Sequence, residues 1–349
     1  MILITGSGGL VGYTASNFFL KKKLKVIGID NNKRKYLFGK NSSVIQKIKN
    51  LKKDKYYTHY NIDINNIQKI NQILKRNEIK LFIHTAAQPS HDWSATNPLL
   101  DFDINSYSTL KILEAIRNSK QKTTFIFLST NKVYGDSINF LKYKELKTRY
   151  EIDNKKFKEY KNGFNENINI DNSMHSPFGI SKLSADLMVQ EYGKYFNMNT
   201  VCLRAGCLTG EHHSSAELHG FLSYLFKCAF YNKKYYIYGY KGKQVRDNLS
   251  AHDVSKIFWE IFKKPPPKGE VFNIGGGIHS NVSILEAIEI CQEITGNKIN
   301  FSYINKARKG DHIYWVTDMK KFKKFYPKWN IEYNTKKIIK KMYEYEKII

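Results

Sequence analysis

The sequence predicts an α/β protein in which a doubly wound parallel sheet is followed by a smaller mixed α/β region. Over the first two hundred residues, short β-branched runs alternate with longer stretches of helical periodicity, as in repeated βαβ units. A glycine-rich turn directly follows the first run, at residues 6–12. A later run, Thr124–Leu128, reads Thr-Phe-Ile-Phe-Leu, the nearly continuous apolar pattern of a strand buried on both faces.

Six runs are predicted to be the strands of this sheet, and apolar residues at helical spacing predict the helices between them. The strands are Ile2–Thr5, Leu24–Ile29, Tyr57–Ile62, Leu81–His84, Thr124–Leu128 and Thr200–Arg204. In the stretch Ile64–Lys75, the side chains of Ile67, Ile70, Ile73 and Leu74 fall on one face, which predicts a helix that packs against the sheet.

The chain is expected to divide near residue 204. Residues 1–204 form the predicted first domain, with a polar, Lys- and Asn-rich insertion at 134–173 of the kind that usually forms a lid or a partner contact. Residues 205–349 are predicted to contain a helix over Leu218–Phe230, a hairpin around Tyr235–Gly242 and a terminal helix over Lys336–Ile348. The run 270–275 is expected to return to the first sheet as one more strand.

Composition excludes several classes of protein. The hydrophobic fraction of 42% is too high for a disordered chain, and no apolar run approaches the ~20 residues of a membrane helix. The N-terminus runs directly into a predicted strand without a signal peptide, so we expect a cytoplasmic protein with no membrane partner. The four cysteines are scattered along the chain, which fits a reducing compartment and argues against a disulfide framework or a zinc site.

The net charge of +26 raises the question of a nucleic-acid partner. Lysines are spread along the whole chain, and the densest runs, Lys21–Lys23 and Lys52–Lys53, alternate with apolar core signals rather than with stacking aromatics. We therefore expect a solvated basic surface and no nucleic-acid partner. A positive field of this kind would also steer a small anionic substrate inward.

The glycine-rich turn has the features of a dinucleotide site. The segment Gly6-Ser-Gly-Gly-Leu-Val-Gly12 follows a strand and opens a helix, whose N-terminus offers N–H groups and a positive dipole end to phosphates. Asp30 ends the second strand eighteen residues after Gly12, where a carboxylate accepts both ribose hydroxyls and repels a 2′-phosphate. The pattern predicts a Rossmann-type fold that binds NAD, while Lys33 and Arg34 leave NADP as an alternative.

Further cofactor contacts are predicted at the ends of the next strands. Asn31 lies beside Asp30, Asp63-Ile64 follows strand three, and the small residues of His84-Thr-Ala-Ala-Gln88 follow strand four. The predicted cofactor-binding residues are Gly6, Gly9, Leu10, Val11, Gly12, Asp30, Asn31, Asp63, Ile64, Ala86, Ala87, Gln88 and Lys182.

Together with these segments, Ser129-Thr-Asn-Lys-Val-Tyr-Gly135 and Phe178-Gly-Ile-Ser-Lys182 resemble the extended short-chain dehydrogenase/reductases, the NAD-dependent epimerases and dehydratases. Local matches at Thr148–Tyr150, Asn162–Phe164, His175–Pro177 and Gly242–Asp247 are most similar to the CDP-paratose 2-epimerase (CDP-tyvelose epimerase) group. The likeness runs essentially end to end. It implies a cytoplasmic NAD-dependent epimerase of carbohydrate biosynthesis, which acts on a nucleotide-linked sugar through transient oxidation to a keto-sugar and hydride return.

The resemblance also implies the catalytic residues. In such enzymes a tyrosinate takes the proton of a sugar hydroxyl, a lysine four residues later lowers the pKa of that tyrosine, and a Ser or Thr after strand five binds the reacting oxygen. Thr130 and Lys182 match two of these positions, but the tyrosine position holds Phe178. Phenylalanine fills the same volume and cannot take a proton.

Three explanations of Phe178 stay open. In the first, another group, or a water relayed from the sugar diphosphate, has taken over proton transfer, with Tyr134, His175 and His213 as candidate groups. In the second, the tyrosine was changed deliberately to trap a complex. In the third, the chain is a catalytically silent protein that binds NAD or a nucleotide sugar. A further alternative is a dehydrogenase that oxidises a nucleotide sugar and releases NADH. The related 4,6-dehydratases carry an Asp-Glu pair after the Thr, whereas this chain has Asn131 and Lys132, which cannot eliminate water.

On the substrate side, the resemblance implies that Arg246 and Arg308 grip a diphosphate, since a guanidinium binds phosphate bidentately. The alternative is a surface ion pair of these arginines with Asp247 or Asp311. Weaker candidates for the sugar pocket are Gln88, Asn131, Lys132, Arg204 and Gln244. Three histidines within Gly210–His219 lack matching carboxylates, so we expect a solvated loop and no metal site.

The resemblance finally implies a homodimer built on two helices. The predicted helices Pro98–Ser119 and Ser181–Phe196 carry broad apolar faces, and the corresponding pair forms a four-helix seam in the family. The apolar residues in question are Leu110, Leu113, Ile116, Leu183, Leu187 and Tyr192. Ordinary packing of both helices on the sheet is the alternative.

Overall fold

The computed structural model of the chain describes residues 1–153, 155–214, 217, 220–308 and 310–348. These residues form two compact units. The first unit comprises Met1–Val133, Pro177–Arg204 and Val254–Phe272; the second comprises 134–176, 205–253 and the described residues from Asn273 onward. Compared with the predicted division at residue 204, the segment 134–176 thus belongs to the second unit and the segment 254–272 to the first.

The strands are short and the helices vary from five to nineteen residues. The strands are β1 (Ile2–Thr5), β2 (Val26–Ile29), β3 (Tyr57–Tyr60), β4 (Leu81–His84), β5 (Thr124–Thr130), β6 (Tyr143–Glu145), β7 (Tyr150–Ile152), β8 (Thr200–Ala205), β9 (Cys207–Thr209), β10 (Tyr235–Tyr238), β11 (Val245–Ser250), β12 (Glu270–Ile274), β13 (Asn281–Ser283), β14 (Phe301–Ile304) and β15 (Tyr314–Trp315). The helices are α1 (Leu10–Lys21), α2 (Arg34–Phe38), α3 (Ile45–Leu51), α4 (Ile67–Arg76), α5 (His91–Thr96), α6 (Pro98–Phe102), α7 (Ser108–Ser119), α8 (Ser176–Lys194), α9 (Phe221–Phe230), α10 (Ala251–Lys263), α11 (Ile284–Thr295), α12 (Lys320–Phe325) and α13 (Thr335–Glu346).

A seven-stranded sheet with the order β12-β8-β5-β4-β1-β2-β3 organises the first unit. β1 pairs in parallel with β2 on one side and with β4 on the other, so the strand order reverses at β1. This reversal is the switch point of a doubly wound sheet, where ligands bind outside the carboxyl ends of the strands. The predicted Rossmann-type α/β fold is confirmed.

The six predicted strands are confirmed, with ends that shift by one or two residues. The helix predicted over Ile64–Lys75 begins only at Ile67, because Asn66 caps it by accepting a hydrogen bond from the Lys69 backbone. The stretch Pro98–Ser119 is interrupted: a π-helical turn over Asp103–Tyr107 separates α6 from α7.

The hairpin predicted around Tyr235–Gly242 is wrong. β10 pairs in parallel with β14, which is distant in sequence. Gly239, at φ +63, leads into a 3-10 turn over Tyr240–Gly242, and the chain then enters β11 rather than folding back on β10. β11 itself pairs with β13, β15 and β9.

Each unit has its own apolar core. In the first, Leu3, Phe82 and Phe125 are fully buried between the sheet and its helices, and the rings of Phe82 and Phe125 lie 5.4 Å apart. In the second, α9, α11 and α13 bury Leu225 and Ile339 against Ile237 of β10. Burial of this apolar surface is the main favourable term in folding both units.

Candidate active site

The glycine turn between β1 and α1 leaves no room for side chains. Gly6 adopts φ +69, and a Cβ at Gly12 would lie 2.1 Å from the Gly6 carbonyl oxygen. A Cβ at Gly6 would lie 2.8 Å from the backbone nitrogen of Ala86 in the β4 loop. Gly9 is the N-cap of α1 and offers no side chain to it, and Leu10 and Val11 begin the helix directly after the turn. This cradle fits a dinucleotide pyrophosphate.

Asp30 lies at the end of β2, beside the glycine turn. One carboxylate oxygen accepts a hydrogen bond from the Gly8 backbone at 2.9 Å, and the other accepts from the Asn32 backbone at 2.8 Å. Burial raises the pKa of Asp30 above its ordinary value, while these two backbone donors oppose that shift. The carboxylate is therefore fixed in orientation where a ribose is expected.

Asn31 and Asp63 meet at the ends of β2 and β3. The Asn31 amide donates to Asp63 Oδ2 at 3.0 Å, and Lys33 Nζ lies 3.4 Å from the same oxygen. The adjacent Ile64 is buried. The structure thus brings together the predicted cofactor residues of both strands, and it pairs Lys33 with Asp63.

The β4 loop is held by a buried polar network. Gln88 is fully buried, and its side-chain amide donates to Asp101 at 2.7 Å and to the Ser90 carbonyl at 2.9 Å. The Gln88 backbone donates to Asn105 at 2.9 Å, and the Asn105 amide returns a bond to the Gln88 carbonyl. These contacts fix the path of Ala86 and Ala87 beside the glycine turn.

Asp101 is the acceptor that joins this network to α8. The fully buried carboxylate accepts hydrogen bonds from Ser181 at 2.5 Å, from Gln88 at 2.7 Å and from Asn105 at 3.1 Å. Burial raises the pKa of Asp101, and these three donors work against the rise. Sequence reasoning missed Asp101 and Ser181; the Ser next to Lys182 was the available signal.

Lys182 and Thr130 lie on neighbouring elements of the first unit. Lys182 is buried, and its ammonium donates to the carbonyl of Leu128 in β5 at 2.7 Å and lies 4.0 Å above the ring of Phe127. Burial lowers the pKa of Lys182 to about 8. Thr130 ends β5; its hydroxyl donates to Asn131 and accepts from the Lys132 backbone, both at 3.3 Å.

Phe178 occupies the first full turn of α8 and is buried. Its backbone donates to the hydroxyl of Ser94 at 3.2 Å, and its ring meets that of His91 edge to face, with centroids 4.8 Å apart. Sequence reasoning missed His91. The available signal was a histidine directly after Ser90, which caps α5 and so fixes where the helix begins.

The three residues suggested from sequence as substitutes for the tyrosine all lie in the second unit. The Tyr134 hydroxyl donates to Asn273 at 2.7 Å, and the His175 ring is 2.9 Å from the Ser173 carbonyl. His213 is buried against Gly220.

Arg204 forms a buried ion pair with Asp186 inside the first unit. Two guanidinium nitrogens donate to the two carboxylate oxygens, at 3.1 and 2.9 Å. Both side chains are almost completely buried. This bidentate pair joins β8 to α8.

In the second unit, Arg246 of β11 is held by Asp311. The buried guanidinium donates to Asp311 Oδ1 at 2.5 Å, to the His312 carbonyl, and to its neighbour Val245 at 2.7 Å. Arg308 is half-buried in the segment after β14, where its carbonyl accepts from the Asp311 backbone at 3.2 Å. The ion pair of Arg246 with Asp311, which the sequence left open as the alternative to diphosphate binding, is thus observed, but with the arginine buried rather than at the surface.

Asp247 and Gln244 flank this arginine in sequence. The fully buried Asp247 accepts backbone hydrogen bonds from Gly277 at 2.9 Å and from Thr317 at 3.0 Å. Burial raises the pKa of Asp247 to about 6. The Gln244 amide donates to the Tyr238 carbonyl at 3.2 Å.

Among the described residues, no group of three or more His, Cys, Asp or Glu side chains could hold a metal ion. Of the three histidines in the 210–219 loop, His212 packs edge to face on Tyr345 with centroids 4.9 Å apart, and His213 is buried. His219 lies outside the described residues. Within the part of the chain that is described, we find no helix with the length and apolarity to span a membrane.

The fold and these sites define a dinucleotide-binding enzyme scaffold, and comparison with known proteins assigns it to a family. The family model "NAD dependent epimerase/dehydratase family" matches residues 2–275, and the chain belongs to this family, whose cofactor is NAD. Over 99% of its length the chain is 31% identical to CDP-paratose 2-epimerase of Salmonella typhi, covering 98% of that protein. It is 25% identical to UDP-glucuronate 4-epimerase of Thermodesulfobacterium geofontis, covering 97% of this chain and 94% of the relative.

Solved structures agree in fold. The UDP-glucuronic acid 4-epimerase of Bacillus cereus, in a Tyr→Phe mutant form complexed with NAD and a fluorinated UDP-sugar, superposes with a TM-score of 0.81 at 24% identity, over 99% of both chains. UDP-glucose 4-epimerase of Thermotoga maritima superposes with a TM-score of 0.78 at 22% identity, over 99% of this chain and 98% of the other.

Proposed function

We propose that the chain is a nucleotide-sugar epimerase that inverts one sugar carbon by transient oxidation to a keto-sugar, with a substrate close to that of the CDP-paratose 2-epimerases. The observation that carries the proposal is the site on β5 and α8. There the Lys182 ammonium donates to the Leu128 carbonyl at 2.7 Å, and Leu128 lies two residues before Thr130 in β5. NAD, when bound, accepts a hydride from the sugar carbon and gives it back. The full-length similarity to CDP-paratose 2-epimerase supports the substrate class.

The cofactor residues of the first unit have defined roles in this proposal. The backbone of Gly6–Gly12 binds the pyrophosphate and Asp30 accepts the adenosine ribose hydroxyls. Asp63 and Ile64 face the adenine, with Asn31 fixing the Asp63 carboxylate at 3.0 Å. The small side chains of Ala86 and Ala87 allow the cofactor to approach the backbone closely. Gln88 holds that loop in place, because its amide donates to Asp101 and to the Ser90 carbonyl.

The reacting hydroxyl is bound by Thr130, and Lys182 holds the nicotinamide ribose. The positions after Thr130 support epimerisation over dehydration. Elimination of water needs an acid and a base there, and neither the Asn131 amide nor the Lys132 side chain supplies that pair.

Arg246 and Arg308 are proposed to bind the diphosphate. Arg246 is preorganised by Asp311, which leaves fewer rotamers to freeze when a phosphate arrives. Asn131, Lys132 and Gln244 are proposed to contact the sugar. Arg204 is assigned to positioning α8 instead, because two of its guanidinium nitrogens donate to the buried carboxylate of Asp186 on that helix.

Phe178 favours a second candidate function, in which the protein binds NAD or a nucleotide sugar without turning it over. Losing a general base typically costs about 10²–10⁴ in rate. The experiment is an NMR assay of CDP-, GDP- and UDP-sugars with the purified protein, with bound NAD quantified beside it. Inversion of one carbon supports the epimerase, steady release of NADH would mean a dehydrogenase, and tight binding with no turnover even in Phe178→Tyr would establish the silent binder.

We further propose that the protein is a homodimer. Several large apolar side chains on α6, α8 and the π-helical turn are exposed: Leu99, Phe102, Tyr107, Ile180, Leu187 and Met188, called the α6–α8 surface below. The elements are adjacent, since Ser106 donates to Ser184 at 2.8 Å. Of the six residues named from sequence, Leu113, Ile116 and Tyr192 are buried within the unit and Leu110 and Leu183 are half-buried. Leu187 is exposed and supports a seam.

A further inference from the structure

We propose that the imidazole of His91 performs the proton transfer that the residue at position 178 cannot. This inference rests on the proposed epimerase function. The rings of His91 and Phe178 are in direct edge-to-face contact, with centroids 4.8 Å apart and an interplanar angle of 62°. A tyrosine in the place of Phe178 would extend its hydroxyl one bond beyond this ring, and His91 carries two nitrogen atoms on the edge of the neighbouring ring.

One buried hydroxyl links the backbones of His91 and Phe178. Ser94 is fully buried; its hydroxyl donates to the His91 carbonyl at 2.7 Å and accepts from the Phe178 backbone at 3.2 Å. Ser90 caps the same helix by accepting from Trp93 at 3.3 Å. The backbone positions that carry the two rings are therefore tied together by hydrogen bonds, which is the kind of support that a positioned catalytic group requires.

The chemistry suits an imidazole. An imidazole nitrogen can accept a proton and later return it, which is the task of a general base that acts again as an acid. In the forward step the O–H bond of the sugar breaks, the proton moves to a nitrogen of His91, and a C=O bond forms as the same carbon gives up its hydride to NAD. In the return step the hydride comes back to the opposite face and His91 returns the proton to oxygen, so atoms and electrons balance.

The other polar groups of this site fit the role less well. Lys182 commits a hydrogen bond to Leu128 and, with a pKa of about 8, is mostly protonated at neutral pH. Thr130 has a hydroxyl that can bind the reacting oxygen and is too weakly basic to hold the proton. His91 lies in ring contact with Phe178 and can both accept and return a proton.

The test compares His91→Gln with the exposed-histidine control His279→Gln. We expect His91→Gln to lower kcat about 10²–10⁴-fold with KM for the nucleotide sugar little changed, and His279→Gln to keep wild-type kinetics. The double variant His91→Gln/Phe178→Tyr should recover activity, because the phenol replaces the lost base. Wild-type kcat in His91→Gln would overturn the inference.

A second readout does not depend on turnover. The ¹⁵N imidazole resonances of His91, assigned by their loss in His91→Gln, should shift when CDP or a CDP-sugar binds the NAD-loaded protein, while those of His279 stay in place. A His91 signal that does not respond to CDP-sugar binding would also count against the role. If the wild type turns over a nucleotide sugar and substitution of His91 does not change the rate, only this inference is refuted. If neither the wild type nor Phe178→Tyr turns over a nucleotide sugar, the epimerase proposal and this inference are both refuted.

Discussion

Ser181 donates a hydrogen bond of 2.5 Å to the buried carboxylate of Asp101. Ser181 directly precedes Lys182, so this bond ties the turn of α8 that carries the lysine to Asp101. The same carboxylate holds the β4 loop, because the Gln88 amide also donates to it. Asp101 is therefore the point at which a predicted catalytic segment and a predicted cofactor segment of the first unit are held in register.

Asp101→Asn is expected to destabilise the protein by about 1–3 kcal/mol. The substitution replaces one acceptor oxygen with an NH2 group, so a buried donor loses its partner. Chemical denaturation measures the change, with the exposed Asp171→Asn as control. Equal unfolding free energies for the two variants would show that the network contributes little.

Asp247 predicts a specific pH dependence of stability. Its pKa is raised from 3.8 to about 6 in the folded state, so the folded protein binds the proton more tightly than the unfolded chain. The contribution of this group is most favourable below pH 4 and is lost as pH rises to 6, by about 3 kcal/mol in all.

The measurement for Asp247 compares unfolding free energies of the wild type and Asp247→Asn from pH 4 to pH 7. The asparagine does not titrate. The unfolding free energy of the wild type should therefore fall relative to that of Asp247→Asn between pH 4 and 6, and the difference between them should then level off. A difference that stays constant over this range would rule out titration of Asp247 in that window.

Asp30→Ser should weaken NAD binding and reduce the preference for NAD over NADP. The substitution removes the ribose acceptor and the charge that repels a 2′-phosphate. Calorimetry with both cofactors measures the effect, with Asp54→Ser as control. Unchanged affinity for both would place the adenosine ribose elsewhere.

Arg246→Lys should weaken binding of CDP and UDP about 10- to 100-fold, since a charge-assisted hydrogen bond contributes about 1.5–3 kcal/mol and a lysine lacks the planar fork. Arg76→Lys, an exposed change on α4, is the matched control. If both variants bind the nucleotides equally well, Arg246 serves the fold through Asp311 and not the ligand.

The α6–α8 surface predicts self-association. Leu187→Glu, alone or with Leu99→Glu, places charge on apolar side chains that are 45% and 87% exposed, and it should convert a dimer to monomer at micromolar concentration. Light scattering after size exclusion reports the mass, with Ile45→Glu as an exposed apolar control outside this surface. A monomeric wild type would end the dimer proposal.

The parts of the fold that sequence predicts well are those specified by local chemistry. Most strands of the first sheet are buried and largely apolar runs, β3 at the edge being only partly buried. The glycine turn between β1 and α1 is dictated by space, since a Cβ at Gly12 would collide with Gly6. The wrong hairpin at β10 shows the opposite case. Its partner β14 lies more than sixty residues away, and no local pattern encodes a parallel pairing over that distance.

The site residues likewise fall into those that a local motif locates and those that only contacts in the folded chain define. Asp30, Thr130 and Lys182 stand at fixed offsets from strands and helix turns, so motifs locate them. His91, Asp101 and the partner of Arg204 are defined by contacts between separate segments, such as the Ser94 link from α5 to α8. A contact of this kind leaves no periodic trace in the sequence.

The discontinuous first unit has a consequence for how the chain is made. β12 completes one edge of the seven-stranded sheet, yet it is synthesised after the first two segments of the second unit, residues 134–176 and 205–253. Until Ile274, the last residue of β12, has left the ribosome, β8 is an open edge that can pair with another nascent chain. We expect truncations that end before β12 to aggregate, and chaperone demand during synthesis to peak over this interval.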